Sequence, residues 1–234
     1  IYLNGQYINR DNAKISIMDR GFLFGDGVYE LIPVYNSKPF LINKHLKRLR
    51  SSLELVGMSA DFQDIENLEQ IMFELISKNH YVNHFFYVHI TRGYQSSRNH
   101  VYSENIQHTV LVMGEEYKVF SKDKLENGFK GCVRDDFRWM KSNIKSISLL
   151  GNVMLKNYAA QNGFYETLLV RNKKLTEGSA SNIFVVKNGQ VMTPNLGVEL
   201  LPGVTRDLLI ELFRNDNIEV KETDVSESEL LNSE

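Results

Sequence analysis

Cysteine is nearly missing: Cys132 is the one thiol in 234 residues. A single thiol forms no internal disulfide and no cysteine-cluster metal site, so a reducing, cytoplasmic setting and no metal are expected. An excess of basic charge is also missing. Lys and Arg total 27 against 29 Asp and Glu, leaving a formal charge of -2, and such a balance argues against nucleic acid as the main partner. No apolar run approaches the roughly 20 residues of a membrane span, and no fixed-period repeat points to a solenoid. The chain opens on Ile1, so loss of an initiator or leader is expected, and no signal-peptide pattern is present. What is there is ordinary globular material: 42% apolar and 24% charged residues, enough for a packed core. The length corresponds to about one and a half typical domains.

Tyr2-Leu3 and Gln6 to Ile8 flank Asn4-Gly5, the pattern of two short strands about a tight turn. Val28 to Tyr35 and His84 to Thr91 are β-branched and aromatic and read as strands, as does Val110 to Met113. Leu46, Leu49, Leu53 and Val56 recur at helical spacing, with Asn43 as the expected N-cap, and a second helix is expected from Asp64 to Ser77. Residues 92–106 are polar and read as a loop. Mixed charges over residues 114–129 suggest a solvated linker. Beyond it, Leu150 to Asn162 reads as a helix closed by Gly163. Two hairpins turn on Asn172-Lys173 and Asn188-Gly189, Asp207 to Phe213 reads as a helix, and Ile218 to Lys221 as a strand. The expectation is an α+β chain of two domains, 1–118 and 125–234, joined by a linker over 119–124.

Several residues could carry chemistry. Lys145 lies between Ile144 and Ile147, so its segment is expected to be packed. Desolvation lowers a lysine pKa and exposes a nucleophilic neutral amine, although a lone lysine is ordinarily a surface residue. Glu177 ends an expected strand before Gly178-Ser179-Ala180-Ser181-Asn182. That stretch is either a simple turn or a carboxylate placed to keep a pyridine nitrogen protonated. Gly203-Val204-Thr205 opens a helix, and the unpaired N–H groups there suit a phosphate as well as an ordinary cap. Arg98 and His100, in the polar loop, could grip a carboxylate or be a solvated pair. Asp19 to Glu30 contains Gly21, Gly25 and Gly27, implying positive φ angles or close backbone approach. A strand follows, so this is no dinucleotide-binding fingerprint.

Taken in order, these segments resemble the fold-type IV pyridoxal-phosphate enzymes, the class IV aminotransferases, and within them the D-amino-acid aminotransferases. The resemblance is carried by Asp19-Arg20-Gly21 with Phe24 to Glu30, His45 with Arg48-Leu49, Thr91-Arg92-Gly93 with Arg98 and His100, Ile144-Lys145-Ser146 with Leu149 to Gly151, Thr176 to Ser179 with Ser181-Asn182, and Gly203 to Asp207. It implies a two-domain α+β fold with pyridoxal 5'-phosphate in the interdomain cleft. It implies that Lys145 forms the Schiff base and shuttles the proton, and that Glu177 pairs with the pyridinium. Arg48, Val204 and Thr205 would hold the phosphate, Leu201 would pack on the ring, and Ser179 and Ser181 would lie near the cofactor. Tyr29, Arg98 and His100 would trap the substrate α-carboxylate, Arg98 and His100 coming from the partner subunit of a homodimer. The implied reaction converts D-alanine and 2-oxoglutarate to pyruvate and D-glutamate. Replacing Glu177 by Lys is expected to cripple the electron sink and spare the fold.

Two other activities share the resemblance: 4-amino-4-deoxychorismate lyase, which breaks a C–C bond through the same lysine, and branched-chain L-amino-acid aminotransferase, which lacks the Arg-x-His pair. A cofactor-free dimeric scaffold is a further alternative. Ala180 stands where relatives often carry a third serine. The family also extends beyond Glu234 into another strand and phosphate-binding loop, so the resemblance implies a C-terminal domain cut short here.

Overall fold

The computed structural model describes residues 1–58, 63–117 and 120–234, residues 63–66 only as helix. Lys118 and Val119, at the junction where the linker is expected, lie outside the described residues. The chain divides into two compact units: Ile1–Val119 with Ile144–Ser148, and Phe120–Asn143 with Leu149–Glu234.

The first unit is built on a six-stranded antiparallel sheet. Its strands are β1 (Tyr2–Leu3), β2 (Gln6–Tyr7), β3 (Gly27–Tyr35), β4 (Lys38–Pro39), β5 (His84–Thr91) and β6 (Thr109–Glu116), in the order β2-β1-β6-β5-β3-β4. Period-two alternation decides what each face carries. Along β3, Val28, Glu30, Ile32 and Val34 point inward; along β5, His84, Phe86, Val88 and Ile90 do. Three α-helices among the described residues accompany the sheet: α1 (Arg20–Phe24), α2 (Ile42–Leu55) and α3 (Gln63–Lys78). Leu49 and Leu53 of α2 and Leu68, Ile71, Met72 and Leu75 of α3 pack on the inward sheet residues to form the core.

The helix start expected at Asn43 is corrected. The N-cap of α2 is Leu41, in the left-handed region at φ 51°, with no side-chain cap bond. Packing of Ile42 and Leu46 against the core sets the entry instead of an asparagine cap. The glycine-rich stretch holds a helix of its own. Asp19 caps α1 by accepting from Gly21 N, and Gly25 ends it at φ 66°, a conformation that favours glycine.

Residues 144–148 pack beside the first half of β3. Ile144 is buried in the core, Ser146 bridges to Val28, and Ile147 N donates to Gly27 O at 3.1 Å. The second unit contains α4 (Lys122–Glu126), β7 (Gly131–Asp135), α5 (Leu150–Gln161), β8 (Glu166–Arg171), β9 (Lys174–Gly178), β10 (Val185–Lys187), β11 (Gln190–Thr193), α6 (Val204–Asn215), β12 (Val220–Glu222) and α7 (Glu227–Leu231). Its two sheets run β7-β8-β9 and β10-β11-β12. Both hairpins turn as expected, on Asn172-Lys173 at φ 51° and 62° and on Asn188-Gly189 at φ 51° and 73°, the two positive φ angles of a type I′ turn. Each sheet also has one parallel pair, β7 with β8 and β11 with β12, and α5 and α6 lie within the connections those pairs need. A Ser226–Glu229 capping box starts α7, whose Leu230 packs with Val170, Leu175, Val185, Met192 and Val225. No helix among the described residues is long and apolar enough to cross a membrane.

Candidate active site

Lys145 is held by its backbone. Tyr29 N donates to Lys145 O at 2.9 Å, and Lys145 N donates to Ser52 Oγ at 3.2 Å. The side chain lies over the Tyr29 ring, with Nζ 4.3 Å from the centroid. The flanking Ile144, 5% exposed, is packed as the sequence suggested, and Lys145 itself is half-buried.

One residue further along β3, Glu30 is the charged member of an otherwise apolar inward row, and it is fully buried. Its carboxylate accepts from Arg48 Nε at 2.9 Å and Nη2 at 2.6 Å. His45 Nδ1 lies 3.2 Å away, within ion-pair range but outside hydrogen-bond geometry. Burial pushes the Glu30 carboxyl up, but the approach of His45, the bonds and charge of Arg48 and the charge of Lys145 outweigh it and hold the group at about 2. Arg48, expected at a phosphate, therefore has two of its nitrogens committed to Glu30.

This pair makes stability depend on acid. A carboxyl depressed from its ordinary 4.5 to about 2 contributes fully above the higher value and loses that contribution as pH falls toward the lower one. The shift corresponds to roughly 3 kcal/mol. In urea titrations, Glu30→Gln should be less stable than wild type at neutral pH, with the gap narrowing as pH falls below about 4.5 and closing below about 2 as Glu30 becomes protonated. A gap that stays constant across that range would show that Glu30 does not act through its charge.

The outward face of the same sheet carries residues that the sequence did not single out. Tyr29 sits opposite His89 in the β3–β5 register, and its ring lies 5.8 Å from that of Tyr87. Tyr87 Oη and His89 Nδ1 share a 2.7 Å hydrogen bond. Burial pushes the His89 imidazole down and the Tyr87 hydroxyl up, so desolvation disfavours the charged form of each. The available signal was the alternation of β5, which sends residues 85, 87 and 89 to the face of Tyr29. Arg98 and His100 lie in an exposed loop and come together on Phe24: the guanidinium is 4.9 Å and the imidazole 5.1 Å from its ring centroid.

In the second unit, β9 carries Glu177 into a buried polar network. Oε1 accepts from Arg138 Nη1 at 2.6 Å. Oε2 accepts from Leu201 N at 3.0 Å and Asn182 Nδ2 at 3.2 Å. Asp136 holds Arg138 from behind through Nε and Nη2, each at 2.9 Å, and accepts from Thr176 Oγ1 at 2.8 Å. Burial lifts the Glu177 carboxyl and Arg138 draws it back, with the net direction upward. Burial opposes the Arg138 charge, but Asp136 and Glu177 outweigh it.

Asn182 also donates to Leu201 O at 2.9 Å, so one amide ties the Glu177 turn to the segment leading into α6. There Gly203 is required: a Cβ would lie 1.9 Å from Asn182 Oδ1. Gly203 is the N-cap of α6 and supplies no side-chain cap bond, Val204 is buried, and Thr205 is exposed. The first amides of this helix thus have no capping side chain. Ser179 Oγ and Ser181 Oγ both donate to Glu166, the latter at 3.0 Å, and this carboxylate also accepts from Thr167 N at 2.8 Å. Glu166 was not singled out from the sequence, because nothing local shows that it faces the serine turn across the β8–β9 hairpin.

These groups fit pyridoxal phosphate. A buried carboxylate lifted by desolvation suits a protonated ring nitrogen, and an uncapped helix N-terminus beside a hydroxyl suits a phosphate. Comparison with known proteins gives the family. The profile of the class IV amino-transferases matches residues 27–234. A D-alanine aminotransferase of Staphylococcus aureus is 34% identical over 223 residues, covering 95% of this chain and 78% of its own length. One from Listeria monocytogenes is 33% identical over 232 residues, covering 98% and 80%. Among solved structures, the branched-chain amino acid aminotransferase of Escherichia coli superposes with a TM-score of 0.89 at 24% identity, covering 99% of this chain and 79% of that one. The 4-amino-4-deoxychorismate lyase of Pseudomonas aeruginosa gives 0.84 at 22%, covering 99% and 84%. At those identities the two structures speak for the fold, while the family profile and the sequence relatives speak for the chemistry. The chain belongs to the class IV aminotransferases, pyridoxal-phosphate-dependent enzymes that move amino groups between amino and oxo acids.

Proposed function

We propose that this enzyme transaminates D-amino acids, taking D-alanine and 2-oxoglutarate to pyruvate and D-glutamate. The observation that carries the choice is the pairing of Arg98 and His100 on the Phe24 ring, which puts a guanidinium and an imidazole in one place for a carboxylate. Relatives named D-alanine aminotransferase at 33–34% identity support it.

When bound, pyridoxal phosphate supplies an aldehyde for the substrate amine and a ring that accepts the electron pair left at Cα. The chain's own groups do the rest. Lys145 Nζ would take the proton from the substrate Cα and hold it for return. Glu177 keeps the proton on the ring nitrogen. Arg48, Val204 and Thr205 hold the phosphate, Leu201 packs on the ring, and Ser179 and Ser181, oriented by Glu166, line the turn beside it. Tyr29, Arg98 and His100 bind the α-carboxylate, with Arg98 and His100 reaching the site of the partner in a homodimer.

Pyruvate production from D-alanine and 2-oxoglutarate by the purified holoenzyme tests this directly. Turnover of L-leucine with none of D-alanine would assign the enzyme to the opposite stereochemistry. Pyruvate from 4-amino-4-deoxychorismate without an acceptor would make it a lyase. Arg98→Ala should raise KM for D-alanine by about 10- to 100-fold, the size expected for a charged hydrogen-bond pair, and leave kcat within a few-fold. A change confined to kcat would remove Arg98 from substrate binding.

A further inference from the structure

The loop that carries Arg98 and His100 is exposed, its apolar Val101 and Tyr102 included, and loops that bury few apolar contacts sit at the low-stability end of a fold. Its backbone is nevertheless fastened from inside by a buried arginine. Arg20, 4% exposed, donates from Nη1 to Asn99 O at 2.6 Å and from Nη2 to His100 O at 2.9 Å. Its Nε donates to Asp26 Oδ2 at 2.8 Å. Asp26 also accepts from Arg92 Nε, which approaches Oδ1 at 3.1 Å and Oδ2 at 2.9 Å. Arg92 in turn reaches Val56 O at 2.8 Å and Gly57 O at 3.1 Å, behind α2. The loop is thereby tied to the body of the unit through two guanidinium groups.

Other contacts support the same loop. Gln95 Nε2 donates to Ser97 O and Val101 O, each at 3.3 Å, and Gln95 Oε1 accepts from Ser103 N at 3.2 Å. The Arg20 guanidinium also lies 4.9 Å from the centroid of Phe24, the ring on which Arg98 and His100 meet. Arg20 and Phe24 are four residues apart on α1 and so share one face. Pulling the carbonyls of residues 99 and 100 inward leaves the side chains of 98 and 100 directed outward, side by side.

We propose that Arg20 is a positioning residue for substrate recognition: by holding the Asn99 and His100 carbonyls and backing Phe24, it sets the spacing at which Arg98 and His100 meet the substrate carboxylate. A lysine cannot replace it, because a single ammonium lacks the planar fork that serves both carbonyls and Asp26 at once. The role rests on the proposed function, since it assigns Arg20 to the binding of that substrate.

The test uses the full-length holoenzyme with Arg20→Gln and Arg20→Lys, each also combined with Arg98→Ala. Arg20→Gln should raise KM for D-alanine about tenfold, as expected of a small misplacement of binding groups, and leave kcat within about threefold. Amide hydrogen exchange in a peptide spanning residues 97–103 should accelerate while exchange in β5 and β6 does not. In the Arg98→Ala background the added effect on KM should shrink to less than about twofold, because the two residues act through one contact. Arg20→Lys keeps a cation beside Asp26 and gives the same comparison if Arg20→Gln does not fold. An unchanged KM with unchanged loop exchange would overturn the proposal, as would full additivity with Arg98→Ala. If Arg98→Ala alone leaves KM for D-alanine unchanged, the D-amino-acid assignment fails; faster loop exchange in the Arg20 variants would then still support the tether.

Discussion

Lys145→Ala should lose transamination by about three orders of magnitude or more while the protein stays folded. Removing a positioned general base typically costs 10²- to 10⁴-fold, and here the same amine is also the proposed nucleophile, so no second group takes over either task. The fold should tolerate the change because two hydrogen bonds that hold this segment are made by the backbone and survive it: Tyr29 N donates to Lys145 O and Lys145 N donates to Ser52 Oγ. The buried neighbour that anchors the segment is Ile144, not the lysine. The measurement is pyruvate formation from D-alanine beside a thermal melt. A melting temperature within a few degrees of wild type with no detectable pyruvate is the expected pair of results. Turnover within tenfold of wild type would sink the assignment of Lys145.

Glu177→Gln should slow removal of the substrate α-proton by about 10²- to 10³-fold, in the range of a lost electrostatic stabiliser, with a smaller change in KM. Size and burial are kept, and the charge that holds a proton on the ring nitrogen is lost. Some stability should go as well. Every partner of the Glu177 carboxylate is a donor, namely Arg138, Asn182 and Leu201 N, so an amide must turn its NH₂ toward one of them. A buried group left without its bond costs about 1–3 kcal/mol. The same geometry revises the expectation that Glu177→Lys spares the fold. That ammonium would stand against Arg138, 4% exposed at its side chain, and removing one partner of a buried ion pair costs about 3–5 kcal/mol. The glutamine variant therefore separates chemistry from folding more cleanly. Stopped-flow deprotonation of the substrate decides the point, and a rate within a few-fold of wild type would exclude Glu177 as the ring's partner.

Much of the local structure was legible in the sequence, because it depends on short-range rules. The alternation in Val28 to Tyr35 and His84 to Thr91, the Asn-Gly turn at 188–189 and the leucine spacing of α2 and α3 each follow from what neighbouring residues allow. The ordered motifs likewise pointed to the family through Lys145, Glu177 and the Arg98–His100 pair. The start of α2 was misplaced because packing of Ile42 and Leu46, not a side-chain cap, decides where that helix begins.

What no local rule could supply was partnership over long sequence distance. Glu30 reads as one more polar residue of a strand until Arg48 and His45 close on it. Glu166 reads as a strand start until two serines, 13 and 15 residues later, donate to it. Arg138 and Glu177 are 39 residues apart, and Arg20 is 79 and 80 residues from the carbonyls it holds. A buried charge is unstable without a partner, so each of these residues demands one. The chain alone states the demand, and only the tertiary structure, by bringing distant segments within hydrogen-bond reach, selects which residue answers it.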